Sequence, residues 1–387
     1  MRGTGALAIR ALSSSVRTTR RGLAGLALVA TLVTASHGVG APRATTPPTK
    51  ARTTADAPDA NVTRGPHPTP RRGRSPFESR EACEAVLTAR SKQRPATPHR
   101  IASWNIRWFP DGAARGPGKH ATDLDWLACT IVALDVQVVA VQEIVQHVRG
   151  RAALLDLLDR LDARTAGKWQ HALDDCPGSG RQHVGFLWDA ARVRVTGAEA
   201  VAALNPGDHA CGKNLRPGYG VHARFADGVD VHLVVVHLDS GTTARDHGNR
   251  AASLSRLALA ASELTREGDP DILVLGDFNT MGCKDCEPEV DAAADVAALD
   301  ASAAAADMKR LDADVLCTAY HGSRPALLDH VLARGPGVLA PDARVTVDGA
   351  CRDLGCRPRR RGERPASLER LSDHCPLVVE LPAPPTR

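Results

Sequence analysis

The sequence has few aromatic residues, since Phe, Tyr and Trp make up 3% of its 387 residues. Four of the five tryptophans, Trp104, Trp108, Trp126 and Trp188, fall in predicted core elements, so they provide no exposed aromatic hairpin. A protein that enters a lipid interface through such a hairpin is therefore disfavoured. The chain also has no visible internal repeat, and its N-terminal apolar stretch is too short to span a bilayer.

Residues 1–41 have the order of an export signal. Basic residues precede an apolar stretch and small residues follow it: Arg10, Arg17, Arg20-Arg21, then Gly22 to Val33, then Val39-Gly40-Ala41. This order predicts cleavage near Ala41 and a secreted or periplasmic protein. A twin-arginine leader and an ordinary secretory signal both fit the arginine pair. A short membrane anchor is disfavoured because the apolar core is small and rich in Gly and Ala.

Residues 42–98 are dense in Pro, Thr, Arg and Ala, which predicts a disordered linker. Within it, the stretch from Ser79 to Arg90 is compatible with a single helix that docks on the following part. Residues 99–387 form the predicted globular domain. The net charge is +11 for residues 1–98 and −6 for the remainder. Bulk charge therefore does not attract a polyanion to the domain, and any basic contact must be local.

None of the ten cysteines precedes Cys83. Because exported proteins meet oxidising conditions, we expect four or five disulfides, whose pairing the sequence does not reveal. The segment Cys283-Lys-Asp-Cys286 has the spacing of half a zinc site, but no second Cys/His pair at matching spacing follows. A disulfide is therefore the favoured interpretation of this pair.

Hydrophobic patterning predicts alternating strands and helices. Strands are predicted at residues 100–109, 136–141, 183–188, 221–225, 229–237, 271–275, 327–332 and 375–381. Helices are predicted from a cap at Thr122 to Leu134, over 148–161 and over 244–267, with a surface helical insertion in 287–314. This alternation indicates an α/β protein whose sheets are covered by helices.

Acidic, amide and imidazole residues recur in or at the ends of these strands: Asn105, Glu143, His237, Asp277, Asn279, Asp373 and His374. Such groups converge at one edge of a sheet, where α/β folds form clefts. Oxygen donors such as Asn105, Glu143 and Asp373 suit a hard cation, and Mg2+ fits best. Imidazole is a side-chain type whose ordinary pKa lies near neutrality, so the two histidines are suited to proton transfer.

Six motifs occur in an order that resembles the endonuclease/exonuclease/phosphatase superfamily, and deoxyribonuclease I-like members in particular. They are Trp104-Asn105-Ile106, Val141-Gln142-Glu143, His237-Leu238-Asp239-Ser240, Gly276-Asp277-Phe278-Asn279, Leu328-Asp329-His330 and Ser372-Asp373-His374. The resemblance covers residues 99–381. It implies a four-layer α/β sandwich in which two packed β-sheets are flanked by helices.

The resemblance also implies a role for each matched residue. Glu143 is similar to the principal Mg2+ ligand, assisted by Asn105 and Asp373, with Mn2+ or Ca2+ as alternative ions. His374 is similar to the general base, with Asp329 as its orienting partner.

The remaining matches concern the substrate phosphate. Asp277 and Asn279 resemble residues that hold the attacking water and the scissile phosphate, and His237 resembles the histidine that acts on the leaving oxygen. Arg216 is similar to an arginine that binds phosphate as a bidentate clamp. One position departs from the pattern, because Gln182 or His183 stands where deoxyribonuclease I-like members have a glutamate paired with the histidine equivalent to His237.

Taken singly, each of these residues has an ordinary structural interpretation, such as a turn, a cap, a surface carboxylate or a packed histidine. The shared site also does not select a substrate, because the superfamily includes deoxyribonucleases, abasic-site endonucleases, phosphoinositide phosphatases and sphingomyelinases. A basic loop before Asp373 suits contacts with a nucleic-acid backbone: Arg357, Arg359, Arg360, Arg361 and Arg364.

The sequence therefore predicts a secreted, metal-dependent phosphodiesterase, favoured as an endonuclease that hydrolyses DNA. Two alternatives stay open. One is a secreted phosphoesterase that acts on phospholipid or inositol phosphate, and the other is a catalytically inactive binding module on the same fold.

Overall fold

The computed structural model of the protein describes residues 74–90, 99–114, 119–176, 182–205, 218–340 and 343–381. The predicted signal, most of the predicted linker and Arg216 lie outside the described residues. The helices are α1 Arg80–Arg90, α2 Leu124–Leu134, α3 Val148–Thr165, α4 Ala244–Leu254, α5 Leu257–Leu264, α6 Ala292–Ala305, α7 Ala350–Leu354 and α8 Ala366–Arg370. The strands are β1 His99–Phe109, β2 Val138–Val145, β3 Trp169–Leu173, β4 Gln182–Asp189, β5 Val193–Val201, β6 Gly218–Phe225, β7 Asp230–His237, β8 Ile272–Asp277, β9 Lys309–Arg310, β10 Ala319–His321, β11 Arg324–Ala326, β12 Asp329–Arg334, β13 Arg344–Val347 and β14 Leu377–Leu381.

Two six-stranded sheets and one hairpin contain these strands. Sheet A has the order β13-β14-β1-β2-β4-β3, sheet B has the order β5-β6-β7-β8-β12-β9, and β10 pairs with β11. Each sheet has one parallel pair, β1 with β2 and β7 with β8, among antiparallel neighbours. A parallel pair needs a long crossover connection. Helix α2 supplies it in sheet A, and α4 with α5 supplies it in sheet B.

Alternating side chains of the central strands point into different hydrophobic layers. In β1, Ile101 lies in the core between the two sheets, whereas Ala102 lies in the core between sheet A and the helices α1 to α3. In β8, Leu273 faces the inter-sheet core and Val274 packs with residues of α5 and α6. Because each sheet buries both faces, the predicted four-layer α/β sandwich is confirmed.

The packed domain includes residues before position 99. Phe77 is buried, α1 is present where the sequence favoured a docked helix, and Cys83 of α1 forms a disulfide with Cys129 of α2. The indole of Trp126 also donates a hydrogen bond of 2.9 Å to the Pro76 carbonyl. Residues 74–90, which composition assigned to the linker, therefore pack onto the domain.

Three local predictions need correction. Asp123 rather than Thr122 caps α2, since Asp123 Oδ1 accepts from the Trp126 N–H at 3.1 Å. The helix predicted over 244–267 is broken between α4 and α5, where the Arg256 side chain turns away to bond the Ala203 carbonyl. Helix α6 is part of the outer layer rather than a surface insertion, because Leu299 and Ala303 are buried against sheet B.

Four disulfides join described cysteines: Cys83–Cys129, Cys283–Cys286, Cys317–Cys356 and Cys351–Cys375. The disulfide interpretation of the Cys283/Cys286 pair is therefore confirmed.

The aromatic side chains lie inside the domain, since eleven of the twelve are buried and Trp108 is partly buried. None of the described helices combines the length and hydrophobicity needed to cross a membrane.

Candidate active site

The parallel pair of each sheet ends at a shared cleft. Asn105 of β1 faces Asp277 at the end of β8, and its Nδ2 donates hydrogen bonds to Asp277 Oδ2 at 3.0 Å and to Glu143 Oε1 at 3.1 Å. His237, the last residue of β7, is in register with Asp277. A single amide therefore links carboxylates from sheet A and sheet B, and the convergence predicted for these residues is present.

Glu143 lies inside β2 rather than at its end. The ladder between β2 and β4 is irregular between Val141 and Ile144, and Glu143 has a positive φ of 64°, which is unusual for a residue with a side chain. The bulge turns the carboxylate into the cleft, where Oε2 accepts from the Trp108 N–H at 2.9 Å and from Gln182 Nε2 at 2.5 Å. Burial raises the pKa of this carboxyl group, and neighbouring His374 opposes the shift.

His374 and Asp329 form the predicted pair. Nδ1 of His374 lies 2.9 Å from Asp329 Oδ2, and Nε2 lies 3.8 Å from Asp277 Oδ2. Burial by itself lowers the pKa of His374, but the Asp329 and Asp277 carboxylates outweigh it and raise that pKa well above its usual value. Because Asp329 accepts the Nδ1 proton, Nε2 is the nitrogen directed toward the other cleft residues.

Two hydroxyl side chains hold this pair in place. The sequence assigned no role to either, although Ser372 belongs to the motif Ser372-Asp373-His374. Thr318 Oγ1 accepts from the backbone N–H groups of Leu328 and Asp329, both at 2.9 Å. Ser372 Oγ donates to the Asn105 carbonyl at 2.6 Å and accepts from the His374 N–H at 3.1 Å. Ser372 thereby ties the imidazole backbone to the strand that carries Asn105.

Asp373 occupies the rim of the cleft. Its side chain is 38% exposed, and its Oδ2 is 3.9 Å from an Arg107 guanidinium nitrogen. It is close enough to Glu143 for its charge to raise the pKa of that carboxyl group, although less than burial does. Asp373 is thus near the carboxylates that it was predicted to assist but is more exposed, and Arg107 is a neighbour that the motifs did not reveal.

The surroundings of His237 differ from the expected pairing. Gln182 donates to Glu143, and His183 Nδ1 contacts Asp174, with 2.7 Å to its Oδ1. The carboxylates beside His237 Nε2 are instead Asp277 at 3.6 Å and Glu143 at 4.0 Å. Negative charge beside His237 is therefore supplied by the cleft carboxylates Asp277 and Glu143.

Asp277 and Asn279 form a turn at the end of β8. Asn279 has a φ of 51°, its N–H donates to Asp277 Oδ1 at 3.0 Å, and its Nδ2 donates to the Leu238 carbonyl at 3.0 Å. One N–H of that amide remains for a substrate oxygen.

His330, although adjacent to Asp329 in the motif, is buried away from the cleft. It contacts Thr280 Oγ1 at 2.9 Å, and burial lowers its pKa to about 3.

The cleft fits a divalent cation. Burial raises the pKa of Asp277 to about 7, so two desolvated carboxylates, Glu143 and Asp277, lie close together where a positive charge would stabilise their ionised forms. Asn105 Oδ1 is buried and has no hydrogen-bond partner among the described residues. Carboxylate and amide oxygens are the donors that Mg2+ prefers, so Asn105, Glu143 and Asp277 together form a suitable donor set.

The basic loop is attached to the same cleft through the β10–β11 hairpin. Ala319 of β10 bridges to His374, and the Arg359 N–H bonds the Ser323 carbonyl at 2.8 Å. Arg357 pairs with Glu363, and the Arg359 guanidinium bonds the Gly322 and Glu363 carbonyls, so both side chains stabilise the loop itself.

Two arginines of the loop remain available to a ligand. Arg360 and Arg361 are exposed and form no ion pair within the described part of the chain, whereas Arg364 is 3.6 Å from Glu369. The loop therefore presents the exposed side chains of Arg360 and Arg361 next to the hairpin that adjoins His374.

The chain is similar to a known protein family and to several solved structures. A model of the Endonuclease/Exonuclease/phosphatase family matches residues 102–374. Among solved structures, a Bacteroides thetaiotaomicron mannosyl-6-phosphatase is 16% identical over 74% of this chain and all of its own, with a TM-score of 0.47. Truncated Caenorhabditis elegans TDP2 is 16% identical over 74% of this chain and 98% of its own, also with a TM-score of 0.47.

A Leptotrichia buccalis endonuclease/exonuclease/phosphatase family protein is 16% identical over 74% of this chain and its whole length, with a TM-score of 0.48. No curated protein matches the sequence. The family model alone covers well over half of the chain, from β1 to His374. The chain therefore belongs to the endonuclease/exonuclease/phosphatase family, whose members hydrolyse phosphoesters.

Proposed function

We propose that the protein is a secreted, metal-dependent phosphodiesterase that cuts DNA internally. The observation that carries the proposal is the meeting of Glu143, Asp277 and the Asp329–His374 pair in one cleft, with a basic loop on the adjoining hairpin. The four disulfides among described residues support export, because such bonds persist in oxidising compartments.

In the proposed reaction, water attacks phosphorus and the bond from phosphorus to the leaving oxygen breaks. Asp329 holds the Nδ1–H of His374, so Nε2 accepts the proton of the attacking water. His237, beside Asp277 and Glu143, is placed to donate a proton to the leaving oxygen. Asn279 contributes its remaining amide N–H to a phosphate oxygen.

Asn105, Glu143 and Asp277 would hold the cation, and Asp373 lies near Glu143 at the rim of the cleft. A bound Mg2+ would neutralise charge on the phosphate and on the leaving oxygen. Its charge would also oppose the raised pKa of His374, because a nearby cation disfavours the imidazolium form. Glu143 is preorganised for this task by Trp108 and Gln182, which fix both the position and the direction of its carboxylate.

The basic loop beside the cleft favours nucleic acid over lipid as the substrate. Arg360 and Arg361 offer guanidinium groups to phosphates that flank the scissile bond. No described aromatic side chain is exposed as a lipid anchor, since all are buried except the partly buried Trp108. In the proposed complex Arg216 also binds a substrate phosphate as a bidentate clamp. This residue lies outside the described part of the chain.

A substrate panel tests the proposed function. We expect the purified protein with Mg2+ to convert supercoiled plasmid to open circles, to leave sphingomyelin and inositol phosphates intact, and to lose activity with EDTA. Hydrolysis of lipid or inositol phosphate without plasmid cleavage would assign the chain to the phosphoesterase alternative. No cleavage with Mg2+, Mn2+ or Ca2+ would favour an inactive binding module.

Replacing Arg360 and Arg361 together with alanine should flatten the salt dependence of DNA binding. Each lost phosphate contact lowers the slope of log K against log salt by about 0.9, so the double variant should lose a slope of about 2. Fluorescence anisotropy with a short duplex between 50 and 200 mM salt, in Ca2+ if the protein cleaves the probe in Mg2+, measures it. The matched control replaces Arg194 and Arg266, exposed arginines on other parts of the surface, and should keep the wild-type slope. Equal slopes in all three proteins would remove the loop from the substrate path.

A further inference from the structure

Two histidines and an aspartate lie close together at the end of sheet B that is opposite the cleft. His222 of β6 and His232 of β7 are directly paired across the strands, and their rings stack with centroids 4.6 Å apart. Asp269, in the turn before β8, places Oδ2 at 3.3 Å from His222 Nε2. One ligand atom from each of these three residues lies within 4.8 Å of the others. His232 precedes His237 by five positions, a separation of about 17 Å along a strand.

The charge around the two rings is negative. Asp230 Oδ2 lies 3.7 Å from His222 Nε2, but the Arg224 guanidinium holds this carboxylate at 2.7 Å. Two carboxylates thus lie beside the His222 ring, and Arg224 contacts Asp230 directly. A further positive charge would be stabilised here.

We propose that His222, His232 and Asp269 form a zinc site. Two imidazole nitrogens and one carboxylate oxygen are a donor set typical of Zn2+, with water as the fourth ligand. Tetrahedral coordination at about 2.0–2.1 Å places ligand atoms about 3.4 Å apart. The His222–Asp269 distance of 3.3 Å already has this length, and a ring nitrogen of His232 lies within 4.8 Å of a ligand atom of each partner. A shift of the His232 side chain would have to close the remaining distance. The site is open enough for a water ligand, since the His222 side chain is 25% exposed and Asp269 is 16% exposed.

Such an ion would act on stability rather than on hydrolysis. It would join β6, β7 and the turn that leads into β8, and the His232 N–H already bonds the Asp271 carbonyl there at 2.9 Å. His237 and Asp277 lie at the C-terminal ends of β7 and β8, whereas the proposed site lies at the N-terminal ends. A bound Zn2+ would therefore hold the N-terminal ends of these two strands together without contacting the cleft. The inference is independent of the proposed nuclease activity.

Calorimetry with ZnCl2 at pH 7.5 on the Mg2+-saturated protein tests the site. We compare the wild type, His222→Asn, Asp269→Asn and, as a matched control, His321→Asn on the exposed hairpin. We expect the wild type and the control to bind one more Zn2+ per chain than either site variant, or to bind it at least tenfold more tightly. Because ions that bind only the folded state stabilise it, Zn2+ should raise the melting temperature of the wild type and the control more than that of the site variants.

A second measurement separates a metal site from an ordinary histidine–aspartate ion pair. Co2+ in a tetrahedral site with nitrogen and oxygen ligands absorbs visible light, and this band should be present in the wild type and lost in His222→Asn. Equal Zn2+ stoichiometry and affinity in all four proteins, or a Co2+ band unaffected by His222→Asn, would overturn the proposal. Circular dichroism of each metal-free variant establishes that it is folded, and plasmid cleavage with Mg2+ should be unchanged in His222→Asn.

Discussion

His374→Ala is expected to lower the rate of DNA cleavage by about 10²–10⁴-fold, the usual contribution of a positioned general base. The reason is geometric, because His374 Nε2 faces the cleft while Asp329 holds Nδ1 at 2.9 Å. Single-turnover plasmid nicking with saturating Mg2+ measures the loss. The control, His222→Asn, changes a histidine of sheet B outside the cleft and should nick at the wild-type rate.

The pH–rate profile of Asp329→Asn distinguishes a role of Asp329 in catalysis from a purely structural role. The Asp329 and Asp277 carboxylates raise the pKa of His374. Removing one of them should lower that pKa, so the rising limb of the pH–rate profile should move to lower pH while the maximal rate falls. A profile that keeps its position in Asp329→Asn, or full activity in His374→Ala, would exclude this pair from the chemistry.

Glu143→Gln is expected to weaken Mg2+ binding strongly and thereby to lower Mg2+-dependent nicking of DNA. Loss of an outer-shell partner commonly weakens metal binding by about 10–100-fold, and loss of a direct ligand should cost at least as much. Calorimetric titration with Mg2+ measures the affinity, and nicking at 10 mM Mg2+ measures the consequence. Glu199→Gln, at an exposed position of β5, is the matched control and should bind Mg2+ like the wild type.

The same substitution should leave the fold intact. Burial raises the pKa of Glu143, which means that the charged carboxylate is disfavoured in the metal-free protein. A neutral amide of the same shape relieves that cost, but its NH2 group would face the Asn105 Nδ2 donor. Because the two effects oppose each other, the melting temperature of metal-free Glu143→Gln should stay close to that of the wild type at pH 7.5. Unchanged Mg2+ affinity would remove Glu143 from the proposed ligands, and a large drop in melting temperature would indicate a structural role instead.

Long apolar runs in the sequence predicted the buried central strands correctly. Strands β2, β7 and β8 are buried on both faces, and their valine-rich segments identify them without any knowledge of their partners. Strand β5 escaped prediction because its middle is exposed and therefore lacks a clear hydrophobic alternation. The short strands β9 to β11 and β13 have too few residues to show a period, and they exist because neighbouring strands supply their hydrogen bonds.

Within the site, motifs located residues but did not give their contacts. The Asp329–His374 pairing joins positions 45 residues apart, and the structure places it as the motif order implied. In contrast, the motifs did not indicate that Gln182 donates to Glu143 or that the Arg359 guanidinium bonds the Gly322 carbonyl. Both outcomes depend on the direction of a side chain, which no spacing rule specifies.

The sequence alone determined which segments are buried strands and which polar residues stand near their ends, because hydrophobic alternation and chain order are local properties. Tertiary structure decided the bulge that turns Glu143 into the cleft, the bridge from Asn105 to Asp277 across two sheets, and the pairing of His222 with His232. These arrangements bring together residues that are distant in sequence. They follow from strand register and sheet packing, which are properties of the whole folded chain.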